Sequence, residues 1–167
     1  MGVSYPLILG VTHRFVRKCW QTPNAGFHDG DMISSRKALL AGGHTPTEVR
    51  QQLDSGDLVR LRRGVYERRD LLELEPEARH RQQIRACAIQ SDYPVSHASA
   101  IALHRLPVVD CDLSEVHVTR LGLGRSGNRH RGTRQVHSGR LERSFCTVVD
   151  GIPVTTVARS IVDTKVY

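Results

Sequence analysis

Apolar and polar positions follow a regular pattern from residue 34 onward, and the first feature that this pattern predicts is a short helix. Ser34 or Ser35 supplies a hydroxyl that can cap the residues after it, and residues 36–41 contain no helix breaker. Gly42-Gly43 then ends the helix, because glycine readily adopts the left-handed conformation found at helix ends. The pattern therefore predicts a helix over residues 36–41, followed by a tight turn.

A capping box predicts the second helix. Thr45 places a hydroxyl at the N-cap, Pro46 occupies the first helical position, where its missing N–H costs nothing, and Glu48 stands at N3. The helix is expected to reach about Ser55, and Gly56 ends it. On a 3.6-residue wheel the apolar face carries Val49 and Leu53, and the polar face carries Thr47, Arg50, Gln51 and Asp54.

A basic β-hairpin is predicted directly after this second helix. Residues 58–61 alternate in polarity, Arg62-Arg63-Gly64 forms a turn, and Val65-Tyr66 returns along the first strand. With Arg60, the hairpin tip carries three guanidinium groups. Two helices, a tight turn and a basic hairpin are typical of a winged helix-turn-helix, in which the second helix enters the major groove and the wing contacts phosphates.

The rest of the chain alternates between helical and strand patterns. Pro76 starts a helix over residues 77–90, and Ser96 can cap another over residues 97–104. Strands are predicted at residues 93–95, 115–119, 135–137, 146–149 and 152–155, and a last helix is predicted to begin near Thr156. The sequence therefore predicts an α+β protein with an N-terminal winged helix-turn-helix followed by a C-terminal domain of mixed strands and helices.

These elements divide the chain into three predicted parts. Residues 1–28 show no sustained period and are interpreted as an N-terminal extension. Residues 29–75 form the predicted winged-helix DNA-binding domain, and residues 76–167 form the predicted α+β C-terminal domain.

The charge of the chain points to a polyanionic partner. The sequence has 24 basic residues against 17 acidic ones, and only three of the basic residues are lysines. Guanidinium groups meet phosphate oxygens in pairs, so nucleic acid becomes a leading candidate partner, and the winged-helix pattern indicates double-stranded DNA. A glycine-rich secondary basic loop adds seven arginines against one glutamate: Arg120, Arg125, Arg129, Arg131, Arg134, Arg140 and Arg143. This loop can lie along phosphates or be an ordinary solvated hairpin.

Several classes of protein are disfavoured by composition. The cysteines at 19, 87, 111 and 146 form no Cys-x-x-Cys pair, so no structural zinc site is predicted. No apolar run approaches the length of about 20 residues that a membrane helix needs, and no signal peptide is recognised. The sequence therefore predicts a soluble, cytoplasmic protein without cofactor, metal or membrane partner.

Five sequence strings resemble one known family. Residues 41–50 (AGGHTPTEVR) and 61–66 (LRRGVY) look like the N-terminal domain of AbiEi-family antitoxins. Residues 96–100 (SHASA), 103–107 (LHRLP) and 150–163 (DGIPVTTVARSIVD) are similar to the second region of the same actinobacterial-type proteins. The strings occur in the family's order.

The resemblance implies a winged-helix antitoxin that represses transcription of its own operon in a type IV toxin–antitoxin system. Such systems are associated with abortive infection by phage, and the partner toxin is a nucleotidyltransferase. The implied DNA contacts are Thr45, Thr47, Arg50, Gln51, Arg60, Arg62 and Arg63.

The chain departs from the family pattern at two places. Pro23 and Gly26 interrupt the position of the family's first helix, so the helical core of the winged domain is expected to be incomplete. Relatives commonly continue past the equivalent of Val162-Asp163, some into a nuclease-like module. Any activity housed in that continuation is not expected here.

Two enzymatic interpretations compete with this one. A metal-dependent nuclease needs an acidic residue followed by Glu-x-Lys on a neighbouring strand. The nearest match is Asp110 or Asp112 followed by Glu115-Val116-His117, in which histidine replaces lysine. The spacing is also too short for two strands.

The second enzymatic interpretation rests on paired His-x-Ser/Thr motifs. Residues 97–99 and 117–119 resemble the motifs of two-histidine phosphoesterases, but one motif opens a predicted helix and the other lies on a predicted strand. The preferred interpretation places His97 at a helix start and His117 on an exposed strand face, without a catalytic role.

The sequence thus predicts a non-enzymatic, DNA-binding repressor of its own operon. The alternative from another class is a protein-interaction module that does not bind DNA and instead binds a nucleotidyltransferase toxin or a phage protein. A nuclease is the third alternative.

Overall fold

The computed structural model describes residues 33–73, 75–120, 129–130 and 132–165, with backbone alone for residues 129 and 130. The predicted extension over residues 1–28 lies outside this range. The fold is α+β. The helices are α1 (Arg36–Ala41), α2 (Pro46–Ser55), α3 (Pro76–Ala88), α4 (His97–Leu103) and α5 (Val157–Lys165). The strands are β1 (Ser34–Ser35), β2 (Leu58–Arg62), β3 (Val65–Arg68), β4 (Val116–Arg120), β5 (Arg129–His130), β6 (Arg134–Ser138), β7 (Cys146–Val149) and β8 (Ile152–Thr155).

Helices α1 and α2 follow the predicted pattern closely. Ser35 caps α1, and its hydroxyl oxygen accepts a hydrogen bond from the backbone N–H of Ala38. The capping box of α2 is formed in both directions, because Thr45 Oγ1 accepts from Glu48 N at 3.2 Å and Glu48 Oε2 accepts from Thr45 N at 2.7 Å. Gly56 ends α2 with a φ of +82°, the left-handed conformation that glycine adopts without strain.

A small antiparallel sheet stands beside these two helices, and the sequence had indicated only two of its strands. The order is β1-β3-β2, with Ser35 paired to Val65 and Arg60 paired to Tyr66. Ser34 and Ser35 were expected only as capping residues, and they also form the third strand. A bulge interrupts the β2–β3 register between Arg60 and Arg62.

Helix α3 packs against both halves of the protein. Its Ala86 lies in one hydrophobic cluster with Leu61 and Val65 of the hairpin. On the same helix, Ile84 and Cys87 belong to the larger core of the C-terminal half. Helix α3 therefore closes the core beneath the N-terminal sheet as well as connecting the two halves.

The larger core lies between α3, α4 and two groups of strands. Strand β6 pairs with β4 in parallel and with β5 in antiparallel orientation, whereas β7 and β8 form an antiparallel hairpin. The strand predicted over residues 93–95 is reduced to bridges from Val95 to Val118 and to Val154, which join the two groups of strands. Apart from Cys87, the buried residues of this core are valines, isoleucines, alanines and a leucine, in keeping with the low aromatic content.

Helix α5 presents its polar side to the protein and its apolar side to solvent. Ser160 is buried, and its hydroxyl lies 2.7 Å from Thr155 Oγ1. The outward side instead carries Val157, Ile161 and Val162, which are 37%, 41% and 59% exposed. This exposed apolar side is unusual for a helix that packs on a domain, because apolar residues normally face the core.

Within the described ranges, no helix combines the length and apolar character needed to cross a membrane.

Candidate nucleic-acid interface

The polar face of α2 is open to solvent. All four predicted contact residues on and before this helix are exposed, namely Thr45, Thr47, Arg50 and Gln51. The opposite face holds the helix on the protein, because Val49 is buried and Leu53 is half-buried. The predicted orientation of α2 is therefore confirmed.

The first turn of α2 carries a negative charge. The backbone N–H of Thr45 donates to the Glu48 carboxylate and, together with the Thr45 hydroxyl, holds the pKa of Glu48 below its ordinary value. An ionised carboxylate here offsets the positive end of the helix dipole. The N-terminus of α2 is therefore less suited to a phosphate than the side of the helix that carries Arg50 and Gln51.

Arg50 keeps an accessible guanidinium group despite a nearby carboxylate. Its Nε lies 3.9 Å from Asp54 Oδ2, and the two side chains are 83% and 74% exposed. An exposed ion pair at this distance contributes about 0–1 kcal/mol. A phosphate or a base edge can therefore compete for Arg50.

The structure separates the three arginines of the hairpin. Arg60 and Arg63 are exposed, but Arg62 is half-buried. The Nη1 atom of Arg62 is fully buried and has no hydrogen-bond partner among the described residues. Arg62 therefore differs from Arg60 and Arg63, because part of its guanidinium group is not accessible to solvent.

The hairpin tip is held in place from two sides. The Gln90 side chain donates from Nε2 to the carbonyl oxygen of Arg63 at 2.6 Å. The backbone N–H of Arg36, the first residue of α1, donates to the carbonyl oxygen of Gly64 at 2.8 Å. The backbone that carries Arg63 is therefore fixed against both α1 and the segment after α3.

Arg69 connects the end of α2 to the end of the hairpin. Its Nε donates to the carbonyl oxygen of Gly56 at 2.6 Å, and its backbone N–H donates to the carbonyl oxygen of Asp57 at 2.9 Å. Arg69 was not among the sequence-predicted site residues, and neither was Gln90. No local pattern marks either residue, because the bonds join segments 13 and 27 residues apart.

The secondary basic loop is described only in part. Arg120 is exposed at the end of β4, and Arg134 is half-buried on β6. Arg129 lies on β5, where its backbone pairs with Val136. Arg125 and Arg131 lie outside the described residues.

Four histidines come together in the C-terminal half, a contact that the sequence does not predict. The ring centroids of His97 and His137 are 3.7 Å apart, and those of His97 and His117 are 5.8 Å apart. His80 joins the group through Ser99, whose hydroxyl lies 2.9 Å from His80 Nε2 and accepts from the backbone N–H of His117. The expected exposed position of His117 is therefore wrong, since its ring lies half-buried against His97 and His137.

The two serines of this region are used within the protein. Ser96 was expected to cap α4, but its hydroxyl instead accepts from Thr119 Oγ1 at 2.8 Å and contacts His97 Nδ1 at 3.0 Å. The hydroxyl of Ser99 contacts His80 and the backbone N–H of His117. The hydroxyls of the two His-x-Ser/Thr motifs are thus engaged in internal hydrogen bonds.

Asp112, one of the acidic residues of the nuclease interpretation, has a local structural role. Asp112 accepts hydrogen bonds from the backbone N–H and the hydroxyl of Ser114, which hold the pKa of Asp112 below its ordinary value. Across the part of the chain that the structure describes, no group of three or more histidine, cysteine or acidic side chains is arranged to hold a metal ion.

No protein-family model and no curated protein sequence matches this chain.

Proposed function

We propose that the N-terminal half is a winged helix-turn-helix that binds double-stranded DNA, and that the protein represses transcription of its own operon. Helix α2 would enter the major groove, with Arg50 and Gln51 toward base edges. Arg60 and Arg63 would contact phosphates beside the groove.

The observation that carries this proposal is the fixed connection between an exposed polar helix and a basic hairpin. Arg69 joins the end of α2 to the end of β3, and Gln90 holds the backbone of Arg63. A DNA-binding module benefits from such fixation, because surfaces that are already in position lose less conformational freedom on binding. The order β1-β3-β2, with the two helices between β1 and β2, also suits a winged helix.

The antitoxin role rests on the resemblance to AbiEi-family antitoxins. That resemblance covers sequence strings in both halves of the chain, including the residues of the α1–α2 turn and of the hairpin tip. On this proposal the C-terminal half adds contacts to DNA or to a nucleotidyltransferase toxin.

The proposal is tested by fluorescence anisotropy with a labelled duplex from upstream of the protein's own gene and a duplex of scrambled sequence. We expect tighter binding to the upstream duplex. Gln51→Ala should reduce this preference by about 1–3 kcal/mol for a lost base contact. Equal affinity of the wild-type protein for both duplexes would contradict sequence-specific binding.

A second candidate function is favoured by the exposed apolar side of α5. Val157, Ile161 and Val162 offer a surface of the kind that protein partners cover. On this account the chain is an interaction module for a nucleotidyltransferase or a phage protein. Binding of a purified nucleotidyltransferase encoded beside the gene, together with no salt-dependent DNA binding, would favour the second candidate over the first.

A further inference from the structure

The four-histidine cluster (His80, His97, His117 and His137) joins four elements of the C-terminal half. His80 lies on α3, His97 is the first residue of α4, and the other two lie on β4 and β6. His80 and His97 are buried, with 2% and 7% exposure, and so is His137. The proposed DNA-binding surface uses none of these side chains, so their role requires a separate explanation.

The contact between His117 and His137 requires that at least one of the two imidazoles is uncharged. The rings of His97 and His137 stack with an angle of 17° between their planes. His117 Nδ1 lies 2.9 Å from His137 Nε2, so one of these nitrogens donates and the other accepts. A doubly charged pair would place two donors against each other, because both nitrogens of an imidazolium carry hydrogen.

The charges of His117 and Arg159 act on His97 in the same direction as its burial. Arg159 of α5 faces His97, and its own partner is Asp163 at 2.9 Å. Burial, followed by the charges of His117 and Arg159, lowers the pKa of His97 to about 4.

The pKa of His80 is lowered in a similar way. Its surroundings include His117, Arg81 of α3 and the exposed carboxylate of Asp112. Burial is the largest effect and lowers the pKa of His80 to about 4, although the backbone carbonyl of Leu113 and the charge of Asp112 favour the charged form. A single exposed carboxylate is largely screened by water and cannot offset the loss of hydration.

The backbone of His97 adopts a left-handed conformation. His97 has a φ of +53°, which is uncommon for a residue other than glycine. Its side chain is held between Ser96 and the other two rings, so the surroundings fix this conformation. Strain of this kind persists only where neighbouring contacts maintain it.

We propose that the four-histidine cluster is a proton-sensitive lock, which holds α3, α4, β4 and β6 together at neutral pH and opens as the pH falls toward 5. In the unfolded chain histidine binds a proton near its ordinary pKa of 6.5, whereas in the folded protein His80 and His97 resist protonation. The contribution of these groups to stability is therefore complete above pH 6.5 and declines as the pH falls toward 4.

The expected effect is large enough to measure. For each histidine whose pKa falls from 6.5 to about 4 on folding, the unfolding constant rises about 30-fold between pH 7.5 and pH 5.0. Two such groups give a rise of several hundred-fold over the same interval. Ordinary carboxylates contribute little in this window, because most of them titrate below it.

The test is urea unfolding of the full chain at constant ionic strength from pH 7.5 to 5.0, followed by circular dichroism. The variant is His97→Asn, since asparagine tolerates a positive φ. The matched control is His44→Asn, in the turn between α1 and α2 and outside the cluster. We expect the pH-dependent rise of the unfolding constant to be about 30-fold smaller in His97→Asn than in the wild type, and unchanged in His44→Asn.

A flat wild-type profile, or equal profiles for His97→Asn and the wild type, would overturn the proposal. If His97→Asn does not fold, nuclear magnetic resonance of the wild-type imidazoles decides the question. We expect His80 and His97 to remain neutral in the folded protein at pH 5.5. Titration of both near pH 6.5 without unfolding would overturn the proposed lock.

Discussion

The guanidinium group of Arg69 binds Gly56, the C-cap residue of α2: its Nε donates to the carbonyl oxygen of Gly56 at 2.6 Å. The space beside Gly56 is also limited, since a Cβ added there would lie 3.1 Å from Arg69 Nη2. The contact between Arg69 and Gly56 therefore fixes the C-terminal end of α2 relative to the end of β3.

Replacing Arg69 should weaken DNA binding without removing a DNA contact. In Arg69→Lys the positive charge remains, but the short bond from Nε to Gly56 is lost. We expect a stability loss of about 1 kcal/mol, since the group is exposed, and an affinity loss of several-fold. Anisotropy and urea unfolding measure the two effects, and Arg68→Lys on β3 is the control. Equal DNA affinity of Arg69→Lys and the wild type would show that this bond does not position α2.

Substitutions of Thr45 and Thr47 at the start of α2 should have different effects on protein stability and on DNA binding. Thr45→Ala removes the N-cap oxygen and should cost about 1 kcal/mol of unfolding free energy. Thr47→Ala removes an exposed hydroxyl outside the capping box and should change stability by less than about 0.5 kcal/mol.

Thermal unfolding and DNA titration of both threonine variants check this separation. On the proposed function, Thr47→Ala weakens DNA binding more than its small stability change explains. A loss of stability in Thr47→Ala as large as in Thr45→Ala would contradict the capping assignment.

Arg62 and Arg63 should contribute unequally to DNA binding. Arg62 is half-buried, with one nitrogen sealed from solvent and unpaired, whereas Arg63 is exposed at the tip. We expect Arg62→Met to retain most of the affinity and to leave stability equal or higher, because a buried unpaired donor is costly. Arg63→Met should lose affinity at every DNA sequence. If Arg62→Met lost more affinity than Arg63→Met, the guanidinium group of Arg62 would have to contact DNA, and this prediction would be wrong.

The apolar side of α5 should tolerate charge if nothing in this protein covers it. Val162 is 59% exposed, so Val162→Lys should change the unfolding free energy by less than about 0.5 kcal/mol. The buried change Ser160→Lys is expected to be strongly destabilising, and it serves as the contrast. Urea unfolding of both variants provides the measurement, and a destabilised Val162→Lys would mean that this side is packed within the protein.

The local parts of the fold were predictable because local signals determine them. The capping box and Gly56 gave both ends of α2, and Arg62-Arg63-Gly64 gave the hairpin turn. These features depend on residues within a few positions of one another, where helix caps and turns are decided.

The missed features depend on contacts between distant segments. Twenty residues separate His97 from His117, and twenty more separate His117 from His137. The pairing of β4 with β6 brings His117 and His137 together. The bond from Gln90 to Arg63 likewise joins segments that are 27 residues apart. Periodicity and spacing carry no information about such contacts, because many folds are compatible with the same local pattern.

The salt dependence of DNA affinity in Arg60→Ala/Arg63→Ala tests the central claim most directly, with Arg79→Ala on α3 as the control for a lost exposed charge. Anisotropy with the upstream duplex at a series of salt concentrations gives the slope of the logarithm of affinity against the logarithm of salt. The proposed interface predicts a slope that is shallower by up to about 1.8 in the double variant, equivalent to two phosphate contacts, and unchanged in Arg79→Ala. Wild-type affinity and slope in the double variant would contradict the proposal that this hairpin binds DNA.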